Sequence, residues 1–356
     1  MQLMYRPDAD AVRKRMTTWW AGGDIGRPAM QIRAPRETPW EAIPAMPEPA
    51  GWITGYSTSN FDYRVNLGLR YCHATQYMGE AMPFISPDLA PGCLSLFLGC
   101  KGREMPGTVW CEPFAMEDPA TLAFRRDNFY WDFSYRLGQE FLRHGRGKFL
   151  IQFPDLIEGL DTLAAIRGAE ELLLDMIERP DWVHRCLDRI TDLYFEAYDP
   201  LYEQYRDETG GSVFWCWAPG RMAKLQCDIS AMFSPAMFEE FMVPVLRTMT
   251  AKFDHCLYHW DGPGAIPHHD HLLALPDLDM LQWVPGAGAA PAWDPKWWPL
   301  YHKTFDAGKK IMIGCDALEN LKRLKHEFGP HFKQFLFGMG VKSVAEGEAA
   351  LALAMD

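Results

Sequence analysis

The chain has 356 residues, 48% of them hydrophobic and 23% charged, a balance that supplies a large core and excludes disordered, collagen-like and coiled-coil proteins. Lys plus Arg total 35 against 47 Asp plus Glu, a formal charge of −12, and that field repels nucleic-acid phosphates and anionic membranes, leaving a small molecule as the expected substrate. Nine cysteines without a CxxC pair suggest neither a disulfide framework nor a zinc knuckle, and the lack of an apolar run of about 18 residues or of an apolar N-terminal stretch points to a cytoplasmic protein.

In chain order, residues 8–20 read as a polar helix stopped by Gly22 and Gly23, a lid or cap. From Arg33 to Pro113 no period is evident: Pro35, Pro39, Pro44, Pro47 and Pro49 are followed by glycines and by Trp40, Trp52, Tyr56 and Phe61. A long aperiodic segment in a compact protein usually carries function, so 34–112 is expected to cover the site and lend it aromatic side chains. Beyond Pro113, strand-like runs at 148–153, 212–218, 224–228, 255–261, 280–286, 310–316 and 334–340 alternate with helical faces such as Trp182, Cys186, Ile190, Leu193 and Ala197. Ser234-Pro235, with Glu239 and Glu240 after it, has the form of a helix start. This alternation predicts an α/β fold, a (β/α)8 TIM barrel with a loop-rich N-terminal extension. Residues 1–356 then form one domain, with the lid and the irregular segment inside 1–112. A doubly wound sheet is the alternative, but neither GxGxxG nor GxxxxGK[ST] is present to mark a nucleotide site.

Several runs end in polar or small residues, among them Asp155, Asp228, His259 with Asp261, and Asp316. In a barrel those strand ends build the active site. His259 and Asp261, two apart on a strand, project to one side; with Cys315 they could hold a zinc ion in a three-ligand site with one open position. The structural alternative has Asp261 accepting hydrogen bonds from the Gly262-Pro263-Gly264 loop and Cys315 simply buried. Gln226 and Asp228 share a face by the same spacing, and Asp228 is either a base or orienting group, or the cap of the next helix. Trp215 and Trp217 either stack on a flat substrate or belong to the core; Trp283 joins them as a candidate substrate contact. The PHHDH stretch at 267–271, with His268, His269 and His271, reads as solvated surface, and the Trp-rich 293–298 stretch as a packing or rim element.

QCDISAMFSPAMFEEFMVPVL (226–246), YHWDGPGAIPH (258–268), LQWVPGAG (281–288) and FGMGVKSVAEGEAAL (337–351) resemble the uroporphyrinogen decarboxylase superfamily, including its corrinoid-linked methyltransferases. LDTLAAIRGAEELLLDMIERPDWVHRCLDRIT (160–191) is similar to the same superfamily's two-helix segment, so the resemblance spans about 145–352. It implies a TIM barrel, often a homodimer. The chain departs from the decarboxylases in lacking their N-terminal RQAGR element; GRPAMQIRAPRETPW (26–40) offers only Arg33 and Arg36 to an anion. It departs from the zinc methyltransferases where their His-x-Cys is replaced by His259-Trp260-Asp261, and where Met339 stands at the place of a later cysteine. The resemblance therefore implies methyl-group transfer with a corrinoid protein or a small methylated substrate. The alternative is cofactor-free decarboxylation of an acidic substrate, with Asp228 or Asp261 stabilising a protonated intermediate and Arg33 or Arg36 receiving a carboxylate. A third reading, from a different class, is a non-catalytic protein holding a small molecule in an aromatic cavity.

Overall fold

Runs rich in Ile, Leu, Met and Phe form short strands, and each amphipathic helix between them returns the chain so that the next strand lies parallel to the last. The computed structural model describes residues 2–355. Its main sheet has seven strands in the order Thr75–Gly79, Ala29–Pro35, Phe335–Gly340, Lys310–Gly314, Met280–Val284, His255–Asp261 and Met222–Gln226. Every neighbouring pair is parallel except the antiparallel edge strand Thr75–Gly79. Phe84–Ile85 pairs in parallel with Leu150–Ile151, and Phe153 N–H reaches Val213 O at 3.3 Å. The protein is thus a mixed α/β fold. No helix among the described residues is long and apolar enough to cross a membrane.

Register matters for the site. His259 lies opposite Gln226 on one side and Gln282 on the other, and Gln282 lies opposite Met312. These side chains form one row across the sheet, while Trp260 and Trp283, one residue on, point to the other face and pack with ring centroids 4.7 Å apart. Gly262, at φ +73, takes the left-handed turn that follows Asp261.

Four expectations need correction. The 212–218 run is not one strand: Ser212–Phe214 and Cys216–Ala218 form a tight antiparallel hairpin, turned at Trp215, which has φ 57. A left-handed turn at a tryptophan leaves no signature in composition. The helix Ala9–Trp20 is not a lid over the strand ends that carry His259 and Asp261. Trp20 stacks on His255 at 4.6 Å, its carbonyl accepts from Lys310 at 3.2 Å, and Trp19 donates to Lys333 O at 2.9 Å. Those partners lie at or just before strand starts, so the helix seals the N-terminal edge. The 33–113 segment is more ordered than its prolines suggest, with a helix Phe61–His73 capped by Asn60, whose side chain accepts from Tyr63 N–H at 2.9 Å, and a hairpin of Lys101–Met105 with Thr108–Glu112. Finally, His268 and His269 are buried; they bond to Ser230 O at 2.8 Å and to the Thr304 hydroxyl at 2.9 Å. The Ser234 helix start holds: its hydroxyl accepts from Met237 N–H at 3.3 Å.

Candidate functional site

The strand Met222–Gln226 runs out at Gln226, and the chain turns at once into the short helix Asp228–Met232. Asp161, from the helix Gly159–Arg167, holds that turn by accepting from Asp228 N–H at 2.8 Å and Ile229 N–H at 3.0 Å. Asp161, not Asp228, therefore caps the turn, which leaves the Asp228 carboxylate available to other partners. Gln226 braces it, its amide donating to Asp228 at 2.9 Å and to Asp161 at 3.1 Å, while its own N–H donates to Glu158 at 2.8 Å. On the neighbouring strand, one ring N–H of His259 donates to the Gln282 side-chain oxygen through Nδ1. That bond commits the proton to Nδ1 and leaves Nε2 with a lone pair.

Asp228, His259 and Asp261 each bring a ligand atom within 4.8 Å of the other two. Asp261 Oδ1 is buried without a hydrogen-bond partner, an acceptor that costs free energy until something positive meets it. Trp215 lies edge-on to the His259 ring at 5.6 Å between centroids, and its backbone N–H donates to the Gln152 side-chain oxygen at 2.7 Å.

Behind this cluster sits Lys224, 2% exposed. Its ammonium lies 2.6 Å from Asp155 and donates to the Gln226 side-chain oxygen. Burial dominates the titration of the surrounding acids. It pushes Glu158 up to about 8, against the pull of Lys224. Burial, with the Asp161 charge adding to it, pushes Asp228 up to about 7, and burial beside Asp155 lifts Asp88 to about 6. His259 is lowered, by burial first and by Lys224 second, so the neutral ring is favoured.

Two cavities adjoin the cluster. One of about 380 Å³ is lined by Asp161, Gln226, Asp228, Trp110, Cys111 and Ser95. The other, about 250 Å³, is lined by Arg33, Gln31, Tyr77, Phe84, Trp215 and Met312. The 34–112 segment thus lends aromatic side chains to both. Larger hollows of about 520 and 610 Å³ carry none of the cluster.

The structure brings together Asp228, His259, Asp261, Gln226 and Trp215, with Arg33 in the adjoining cavity. Four other candidates lie elsewhere. Arg36 lines the 610 Å³ hollow, its guanidinium 3.7 Å above the Trp40 ring. Trp217 is core: buried, with its indole N–H donating to Asp207 at 2.9 Å. Trp283 is buried on the opposite sheet face, against Trp260 and Trp297. Cys315 is buried, its thiol donating to Ala317 O at 3.6 Å and pushed up to about 11 by burial; the three-residue cluster contains Asp228 in its stead. Missed from the sequence were Lys224, Glu158, Asp161 and Gln282. Lys224 had a signal, a lone charge in an apolar strand; Gln282 could have been found from its strand register with His259.

No family profile and no curated protein matches the chain. Its fold is similar to that of a methyltransferase from Methanosarcina mazei, with a TM-score of 0.60 at 12% identity over 97% of this chain and 98% of the other. At that identity the likeness concerns the fold.

Proposed function

We propose that the protein is a (β/α)8 barrel enzyme of the uroporphyrinogen decarboxylase superfamily that transfers a methyl group from a small methylated substrate, with a corrinoid protein as partner. Eight strands suit that barrel: Ala29–Pro35, Phe84–Ile85, Leu150–Ile151, Met222–Gln226, His255–Asp261, Met280–Val284, Lys310–Gly314 and Phe335–Gly340. The likeness to a methyltransferase along nearly the whole chain supports it. So does the sequence, which lacks the arginine element of the decarboxylases. A single domain, a homodimer and a cytoplasmic location belong to the same reading.

One observation carries the chemistry: the convergence of Asp228, His259 and Asp261 at the carboxyl ends of adjacent strands, with the Asp261 oxygen unpaired. The donor set fits a divalent ion such as zinc, through His259 Nε2 and one oxygen from each aspartate. A zinc ion bound there supplies Lewis acidity to a substrate thiol or water. The protein's own part is to hold His259 neutral through Gln282, to fix Asp228 through Gln226 and Asp161, and to present Trp215 beside the ring. Lys224 offsets the carboxylates behind them.

A second reading, decarboxylation of an acidic substrate, is favoured by Arg33, which lines the smaller cavity 5.4 Å above the Phe84 ring. It fits a substrate carboxylate there, beside Trp215, as a charge-assisted partner.

The test combines metal analysis with an assay. Purified protein is expected to hold one zinc per chain and to methylate cob(I)alamin from a methylated thiol or amine, followed by the cobalamin spectrum. His259→Ala should lose both. Zinc retained in His259→Ala overturns the ligand assignment, and a metal-loaded enzyme inert toward every methyl donor but releasing carbon dioxide from a carboxylic acid moves the function to the second reading.

A further inference from the structure

The cavity of about 250 Å³ beside Trp215 is lined by two side chains with unmet bonding, Gln31 and Arg33. They lie two residues apart on the strand Ala29–Pro35 and so share a face. Gln31 is 1% exposed, yet its amide oxygen Oε1 has no hydrogen-bond partner. The neighbouring strands cannot supply one from directly opposite, because Gln31 stands across from Gly338 on one side and Gly79 on the other. A Cβ built on Gly338 would meet nothing within 4 Å, so the space beside Gln31 is open. The Arg33 guanidinium makes neither a hydrogen bond nor an ion pair among the described residues; it lies 5.4 Å above the Phe84 ring. The buried hydroxyl of the same wall, that of Tyr77, is already taken up by Cys72 O at 3.3 Å.

We propose that this cavity binds a short α-hydroxy carboxylate and that Gln31 is the residue that selects its hydroxyl. An acceptor sealed from water costs free energy until a donor reaches it, and a free guanidinium is a ready partner for a carboxylate. A plain carboxylate satisfies Arg33 and leaves Gln31 unmet. A hydroxyl on the neighbouring carbon completes both: the carboxylate accepts from the guanidinium, and the hydroxyl donates to Gln31 Oε1. The lining contains one cation and no acid, which favours a ligand with net negative charge over a zwitterion. Met82, Phe84, Met312 and Trp215 make the rest of the wall apolar, fit for a short alkyl chain. The proposal rests on Arg33 receiving a carboxylate, as in the second reading above, and holds whichever bond is broken at Asp228, His259 and Asp261.

Propionate, lactate and alanine differ only at the α carbon, which carries hydrogen, hydroxyl or ammonium, and they serve as probes in titrations of the full-length protein at neutral pH followed by calorimetry. Lactate is expected to bind at least about tenfold more tightly than propionate, because a site built to hydrogen-bond a hydroxyl rejects the analogue without it, and more tightly than alanine. In Gln31→Met the preference for lactate over propionate should vanish while propionate still binds; in Arg33→Met lactate and propionate should both weaken by at least about tenfold. Lactate and propionate bound equally by the wild-type chain, or a preference that survives in Gln31→Met, overturns the role of Gln31 and leaves the carboxylate at Arg33 standing. Alanine bound as tightly as lactate overturns the hydroxyl as the selected group. No saturable binding of any probe at millimolar concentrations, or lactate binding unchanged in Arg33→Met, overturns the carboxylate at Arg33 and the second reading with it. The comparison among the three probes uses the wild-type chain and does not depend on the folding of a variant.

Discussion

Replacing Lys224 by methionine, a side chain of similar length without charge, tests the electrostatic account of the site. Lys224 is 2% exposed and pairs with Asp155 at 2.6 Å. Its charge also opposes the upward shifts of Glu158 and Asp228. Removing one partner of a buried pair leaves the other charge uncompensated, which costs about 3–5 kcal/mol. Unfolding entropy scales at about 2.1 cal/mol/K per residue, so a chain of 356 residues unfolds with about 0.75 kcal/mol/K, and the penalty becomes a fall of about 4–7 °C in Tm. Calorimetry of wild type and Lys224→Met at pH 7 measures it. The double variant Lys224→Met with Asp155→Asn removes both charges and is expected to recover at least half of the loss. A single variant melting within about 1 °C of wild type, or a double variant no better than the single one, refutes the pairing as the support of this site.

Three further outcomes are expected. His269, buried against Trp260, is lowered to about 4, chiefly by burial and then by Lys303. Because its folded value lies below its unfolded one, its neutral form contributes stability in full above about pH 6.5, and this is lost as pH falls toward 4, by up to about 3 kcal/mol. Melting curves across that window should be steeper for wild type than for His269→Gln, and parallel curves would contradict this. Gln282→Leu, which removes the acceptor for His259 Nδ1, should weaken metal binding by about 10–100-fold in a zinc-chelator competition titration, and unchanged affinity would show that the bond does not orient the ring. Uroporphyrinogen should not be decarboxylated, because leaving its carboxylates without cationic partners costs on the order of several kcal/mol; coproporphyrinogen formed at an enzyme-like rate is the contrary result.

How far the sequence could be read depended on the distance over which each feature is specified. The runs at 255–261, 280–286, 310–316 and 334–340 overlap the observed strands because apolar runs bounded by turns are local. His259 and Asp261 were legible for the same reason, since a spacing of two and a following glycine turn lie within a few residues. Asp161 was not legible as a partner of Asp228, because 67 residues separate them and its own helix gives no hint of what its carboxylate meets. Cys315 fails as the third member for a related reason: its strand was identified, but the burial of its thiol and its bond to Ala317 are set by packing. The 33–113 segment was misjudged because its strands and hairpin are short and the prolines and glycines that precede its one long helix, Phe61–His73, dominated the pattern.

Lys224 shows that more could have been drawn from the chain. A cation in the middle of an apolar strand has no water to hydrate it and must find an anion. Acidic residues after the 148–153 run, Asp155 foremost, are the natural suppliers once that strand and Met222–Gln226 are placed in one wall. Each further carboxylate in the group raises the others toward the neutral form, as Asp155 does to Asp88 and Asp161 does to Asp228. One buried lysine therefore restrains a group of acids that would otherwise take up protons together. The aspartate at the edge of that group, Asp228, is the one that joins His259 and Asp261.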